Sequence, residues 1–549
     1  MSRLAVYSGV AVVLTWPLLP ELGRTVPGAA RSDLGNSLWS LWFVQHSLAQ
    51  GDLPWHTTLL GWPDGGVIQV ADPLNALLAL PLVALAGPLV AYGALCLLHV
   101  AFAGLCAHAL AVHLWRKEAA GYVAGVAFAL APVLVSGMQN GTSEAIGGGW
   151  LPLAVLWMLQ ALERGGAKAI VKGAVGLFLA ALGSWYLGVT AWIFWLALLV
   201  LGGPRVPWRQ RLSRGALVAG VALVLTVPVA AGVRAGVQHP QNLVGIKTDK
   251  ELSTVRRSIG PADPRGWWVP GDFRSPDFRK LSRYGEGFIH SHYLGLTLLL
   301  AAGGALALRR RGADEDIDGV IWLAGGAGLV LAMGPVVCMD GAAWVIDRRL
   351  AVPLPYFLLE GAPGFSSLSL LWRLAVLPSL GLALLAAGAV ARIDRPWAAP
   401  ALLALLVVDL RLLSPVAGLP EHADFELDPA FQALAEAPSG AVINYPVAGG
   451  RSYLYEQTAH DKPLTGTLNF PNNPASRAVW SALLSDARTR DGKPLQRTQG
   501  AAHSKGIRYL VIHEDPTARP DMHDEAVRYL ESVQSPIAEG NGVRIHALY

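Results

Sequence analysis

With 549 residues, 53% of them hydrophobic and only 15% charged, the chain has the composition of a polytopic membrane protein and not of a soluble enzyme. A formal net charge of +4, dispersed along the chain, gives no indication of a nucleic-acid partner. The three cysteines, Cys96, Cys106 and Cys338, lie in or beside apolar runs without metal-ligand spacing, so neither a disulfide framework nor a zinc site is indicated.

The chain opens with Met1-Ser2-Arg3 and an apolar run from Leu4 to Leu19. Gly28-Ala29-Ala30 offers small residues for signal-peptide cleavage, but it lies far beyond a run that itself contains Trp16 and Pro17. The reading is an uncleaved first span. Ser32-Asp33-Leu34-Gly35-Asn36-Ser37 follows, where a short loop hands over to a helix. From Asn36 to Leu48 a wide apolar face with Trp39, Trp42 and Phe43 suits a helix lying in the membrane interface. Asp33 then stands at headgroup depth; the alternative is an aspartate that caps the helix or merely occupies its loop.

Further spans are expected at roughly 91–114, 119–136, 149–162, 169–185, 187–203, 215–233, 291–308, 318–335, 373–391 and 397–413. Basic loops at Arg116-Lys117, Arg164 to Lys172, Arg205 to Arg214, Arg309-Arg310-Arg311 and Arg392 to Arg395 occupy every second connection. This alternation predicts eleven spans, with the N-terminus in the cytoplasm and the C-terminus outside. Residues 74–88 are apolar enough to cross, but a crossing there would place every later basic loop outside. They are read as a re-entrant or interfacial helix.

The non-basic connections gather on the outer face, as loops 20–90, 137–148, 234–290 and 336–371. Loop 137–148 carries Glu144, on the side of Asp33, and Asn140-Gly141-Thr142, a glycosylation sequon with meaning only in a eukaryotic secretory host. Loop 234–290 mixes Arg256, Arg257, Asp263, Arg265, Trp267, Trp268, Glu286 and His290, which suits either a lipid phosphate or a solvated loop anchored by tryptophan. His99, His108 and His113 share one span without placing two ligands on a face, and are read as packing or headgroup-level residues.

After residue 413 no apolar run is long enough to cross. Gly440 to Val447, Gly506 to His513 and Gly542 to Tyr549 read as strands, and 428–436 and 522–533 as helices. The fold class is therefore a polytopic α-helical membrane protein, residues 1–413, followed by a soluble extracytoplasmic α/β domain, residues 414–549. That second part shows no glycine-rich phosphate loop and no nucleophile motif, so a structural or substrate-presenting role is expected.

A first span with its N-terminus inside, then a long external loop opening on an aspartate, resembles the GT-C superfamily of integral-membrane glycosyltransferases. Within it the chain is similar to a poorly characterised bacterial branch, through Trp16-Pro17 with Asp33-Leu34-Gly35, Gly61-Trp62-Pro63-Asp64-Gly65, Trp150-Leu151-Pro152-Leu153 and Tyr293-Leu294-Gly295-Leu296. Pro353-Leu354-Pro355-Tyr356, Pro363-Gly364-Phe365-Ser366-Ser367, Trp372-Arg373, Tyr455 to Pro463 and Gly506-Ile507-Arg508-Tyr509 extend the likeness over nearly the whole length. The resemblance implies a polyprenyl-phosphate-linked sugar as donor, an acceptor that is a glycan, lipid or protein, and a place in a bacterial inner membrane. Two departures stand out: Leu370 where a second arginine is expected ahead of Arg373, and Glu144 where the family would have an aspartate pair. The latter leaves a divalent metal undecided.

The residues support the same chemistry on their own. Glycosyl transfer from a lipid phosphate needs a carboxylate to take the acceptor's proton, and a cation to neutralise the departing phosphate. Asp33 is the candidate base of an inverting transfer. Arg373, at the outer end of a span, is the candidate phosphate clamp; the alternative is an arginine that snorkels to the interface. Glu144 is a candidate for orienting the acceptor or assisting Asp33, and Glu286 and His290 are accessory candidates. Two further readings compete: a transporter or flippase of a lipid-linked saccharide, and a non-catalytic membrane scaffold. Against the transporter, no internal repeat is evident and the spans hold almost no ionisable residues apart from Asp409 and Arg411.

Overall fold

The computed structural model describes residues 2–30, 32–69, 72–202, 206–244, 249–270, 289–308, 313–347, 350–414, 420–446, 452–468, 473–489, 493–514 and 522–549. Four helical stretches among these are long and apolar enough to cross a membrane: Pro73–Trp115, Glu118–Gln139, Trp208–Val237 and Leu371–Ile393. Arg3–Leu14, Trp185–Leu201, Leu296–Ala307 and Ile317–Ala332 are shorter apolar helices.

Helix α1 (Arg3–Leu14) is capped by the Ser2 side chain, which accepts from the Ala5 N–H. It packs through Tyr7, whose ring lies against Gly104 and Gly125, where no larger residue would leave room. The Tyr7 hydroxyl reaches His108 Nδ1 at 2.9 Å and the Gly121 carbonyl at 3.3 Å.

Helix α2 (Leu34–Ala49) is covered by protein on both sides. Leu34, Leu38, Leu41 and Val44 pack against α3 (Pro73–Trp115). Trp39, Trp42 and Phe43, on its other side, enter the core of the C-terminal part. Both faces of its apolar belt are thus covered by protein. A wide aromatic face seeks any apolar neighbour, and the pattern alone cannot distinguish lipid from a second core.

Helix α3 begins on Asp72, with Pro73 in the first turn. At 1.5 Å per residue its 43 residues would extend about 65 Å, twice a bilayer's hydrocarbon thickness. It is broken at Gly87, whose φ of 81° no L-residue adopts readily, directly before Pro88. Residues 74–86 therefore form a helix distinct from 88–115.

The centre of the membrane part is Leu371–Ile393, 94% buried in its most apolar window, whereas Trp208–Val237 is 11% buried. Ala383, Ala386, Ala387 and Gly388 keep the central helix thin enough for its neighbours to approach closely. The buried Asp318–Arg392 ion pair, 2.8 Å, locks Ala313–Ala332 to the helix end. Leu217, Leu223, Val224 and Val227 of the outer helix are exposed, an apolar surface that water would penalise and lipid would cover.

In the C-terminal part the strands Ala441–Tyr445, Ile507–His513, Val543–Ala547 and Ala538–Glu539 form one mixed sheet in that spatial order. Ile507–His513 runs parallel to Ala441–Tyr445 and antiparallel to Val543–Ala547. Alternation splits the side chains. Ala441, Ile443, Leu510 and Ile512 face a layer with Trp480, Leu483 and Leu530, while Val442, Tyr509 and Val511 lie on the other face, in one core with Phe431, Leu434, Leu454 and the α2 aromatics. Helix α2 packs on the helix Ser452–His460 and adds its aromatics to the core on that face of the sheet. Thr25–Pro27 also pairs with His422–Asp424, so two stretches of the membrane part bind this region directly.

Candidate functional site

The loop after Glu118–Gln139 is where the polar residues meet. Gly141, with φ 62°, lies so close to α2 that a Cβ there would stand 2.5 Å from the Leu34 nitrogen; only glycine fits. That approach lets the Asp33 N–H donate to the Asn140 carbonyl at 3.1 Å, and the Ser37 hydroxyl to the Gly141 carbonyl at 2.7 Å. Asp33 occupies the cap position of α2 by its backbone, yet its carboxylate does not cap the helix. The capping alternative is removed.

Asn140 is buried. Its carboxamide donates to the Ile289 carbonyl at 2.8 Å and accepts from the Ile289 N–H at 2.7 Å. The sequon asparagine is therefore an internal clamp and not an acceptor for a glycan. It holds the segment that carries His290, whose ring stacks on Trp372 at 4.9 Å and 23°. Next in sequence is Arg373, in the 3-10 turn Leu371–Ala375 that starts the central helix.

Arg373 Nη1 donates to Glu144 Oε1 at 2.8 Å. Its guanidinium also lies 5.4 Å from the Tyr186 ring centre, and the Tyr186 hydroxyl accepts from the N–H groups of Ser369 and Leu370. Arg373 Nε is buried and has no hydrogen-bond partner among the described residues. Of the candidate residues the fold thus brings Glu144 and Arg373 into contact, stacks His290 beside them, and ties Asp33 to the same loop. Glu286 lies outside the described residues.

Three further polar residues join this cluster. Asp72 accepts from the Asn75 N–H at 3.0 Å and from Asn75 Nδ2 at 2.6 Å. Asn75 Nδ2 also donates to the Ser143 carbonyl at 3.1 Å, beside Glu144, and its Oδ1 pairs with His99 Nε2 at 2.6 Å. Burial pushes the Asp72 carboxyl up to about 7, the Asn75 N–H opposes it, and the nearby Glu144 charge adds to the rise. In the sequence, Asp72-Pro73 shows only a helix start, and His99 looks like a packing residue because its partner is 24 positions away. An aspartate and an asparagine opening a long apolar helix are the signal that was there to read.

Arg256 and Arg257 of loop 234–290 are engaged by the protein itself. Arg257 grips Glu360 with two bonds, 2.8 and 2.7 Å, and Arg256 donates to the carbonyls of Ser366 and Leu368. They hold the chain at 360–368 and offer no site for a lipid phosphate. Among the described residues, no three His, Cys, Asp or Glu side chains stand where they could hold a metal ion.

A family model described as a domain of unknown function, DUF6311, matches residues 25–411. No curated protein matches. Among solved structures, the chain is similar to the archaeal oligosaccharyltransferase AglB from Archaeoglobus fulgidus in complex with an inhibitory peptide and a dolichol-phosphate. The TM-score is 0.47 at 10% identity, over 93% of this chain and 69% of that one. It is also similar to ArnT from Cupriavidus metallidurans bound to undecaprenyl phosphate, with a TM-score of 0.45 at 15% identity over 99% and 98%. Scores below 0.5 at such identity are too low to transfer chemistry.

Proposed function

We propose, for a chain that belongs to the DUF6311 family, that it is a membrane glycosyltransferase moving a sugar from a polyprenyl-phosphate-linked donor to an acceptor hydroxyl. The observation that carries this reading is the meeting of Asp33, Glu144, His290 and Arg373 around one buried loop, at the end of the central helix. In the proposed reaction the acceptor oxygen attacks the anomeric carbon and inverts it, while its proton passes to the Asp33 carboxylate. The bond from the anomeric carbon to the phosphate oxygen breaks, and the phosphate leaves with the electron pair. Arg373 neutralises that charge, since its planar fork matches phosphate oxygens and it makes only one hydrogen bond among the described residues. Glu144 sets the guanidinium's orientation, a role closer to the phosphate than to the acceptor.

The topology belongs to the same proposal. Eleven crossings, with residues 74–86 lying in the membrane without crossing, put this cluster and residues 414–549 on the extracytoplasmic face of a bacterial inner membrane. The deciding experiment is transfer of labelled sugar from a polyprenyl-phosphate donor in membranes. Asp33→Asn keeps size and most hydrogen bonding but removes the proton acceptor, so the rate should fall ~100- to 10,000-fold while the protein still elutes as one species in detergent. A well-folded Asp33→Asn protein with undiminished transfer removes Asp33 from the mechanism.

A further inference from the structure

A cleft of about 540 Å³, within the range of small-molecule sites, opens at the far end of α2 from Asp33. It is bounded by the end of α2, the loop leading into the strand pair His56–Thr57 and Gly66–Val67, and Asp461 of the C-terminal part. Trp55 stands in it 58% exposed. On one wall the His46 ring stacks on Trp42, its Nε2 lies 2.9 Å from Gln50 Nε2 and 3.4 Å from the Asp461 carboxylate. Asp52 and Thr58 complete a rim of carboxylate, carboxamide and hydroxyl groups.

Among the described residues neither lysine nor arginine lines the cleft, while two aspartates do. A phosphate or an acidic headgroup would therefore meet repulsion there, and an anionic lipid surface would too. What suits an exposed indole beside carboxylates, an amide and hydroxyls is a ligand with apolar C–H faces and a ring of hydroxyl donors. We infer that this cleft binds a saccharide, neutral or amino-substituted. From Asp33 to His46 is thirteen helical positions, about 20 Å at 1.5 Å each, a span of several sugar units. Its use as the distal subsite for an extended glycan acceptor rests on the reading of Asp33 as the catalytic carboxylate; saccharide binding itself does not.

The test is calorimetric titration of the full-length protein in nanodiscs with chitohexaose, maltohexaose and isomaltohexaose. At least one should bind. Trp55→Ala should weaken it tenfold or more, Trp55→Phe less than threefold, and Asp461→Asn by an intermediate factor. Asp33→Asn should bind as the wild type does, so a failure of the catalytic assignment and a failure of the cleft are separately visible. Absence of binding by all three hexasaccharides, or unchanged binding by Trp55→Ala, overturns the inference. So does a fluorophore at Trp55→Cys that is quenched by spin-labelled lipid, which would place the indole in the membrane.

Discussion

Two of the arginine–glutamate arrangements among the described residues, Arg256 and Arg257 with Glu360 and Arg373 with Glu144, differ in how completely the arginine is used. Arg256 and Arg257 converge on Glu360 and on two backbone carbonyls, and the pairing holds the Glu360 carboxyl below its ordinary value. Arg373 has one bond to Glu144, an unpartnered buried Nε among the described residues, and two aromatic rings beside it. The first arrangement is closed and structural. The second leaves donors unused among the described residues, as the proposed phosphate clamp requires. In a loop rich in basic residues, what separates a fastening from a binding group is the number of donors left over.

The sharpest break of this comparison is to remove each arginine in turn. Arg373→Ala should lower transfer about 100- to 1,000-fold, as loss of a charge-stabilising donor does, measured per folded molecule in detergent. Arg373→Lys should recover only part of the rate, because an ammonium cannot make the bidentate contact. Arg257→Ala should do the reverse: transfer per folded molecule nearly unchanged, and stability lower by about 1–3 kcal/mol for a partly exposed pair. If Arg257→Ala stops transfer in a protein that melts normally, the two arrangements have been assigned the wrong way round.

A smaller effect is expected at Glu144. Glu144→Gln keeps an acceptor for Arg373 but removes the charge, which weakens one charge-assisted hydrogen bond by about 1 kcal/mol. The donor KM should rise about five-fold by that energy, with kcat less affected. Equal loss in kcat alone would return Glu144 to the acceptor side of the reaction.

The mildest test extends the comparison to a pair that carries no charge. Glu456 and His513 lie 3.5 Å apart in the C-terminal part. Burial, with Asp428 adding to it, pushes Glu456 up to about 8, and burial pushes His513 down to about 3. Both are then neutral at pH 7. For Glu456, the folded value above the ordinary 4.5 means its contribution is complete below that pH and is lost as pH rises toward 8. For His513 the contribution is complete above about 6.5 and is lost on acidification toward 3. Between pH 6.5 and 8 the glutamate acts alone, so stability should decline across that window, and Glu456→Gln should flatten the decline. Thermal melts at four pH values suffice to see it.

Hydropathy and turn residues are local quantities, and what they govern was legible. Helices formed at the apolar runs, and strands at 441–445, 507–513 and 543–547 within the three apolar stretches that open on glycine. A carboxylate isolated between apolar runs makes Asp33 and Glu144 candidates, because water-seeking groups at such places are rare in a chain of this composition. Partnership is not local. Arg373 meets Glu144 across 229 positions, Arg257 meets Glu360 across 103, and Trp39 gives its indole N–H to Gln457 across 418. The same residue type becomes a clamp, a strut or a binding group according to which distant chain segment fills its hydrogen bonds. The aromatic face of α2 shows the same limit: the sequence required that it be covered, and only the tertiary structure decided that a protein core covers it, because burial against lipid and burial against side chains satisfy the hydrophobic effect alike.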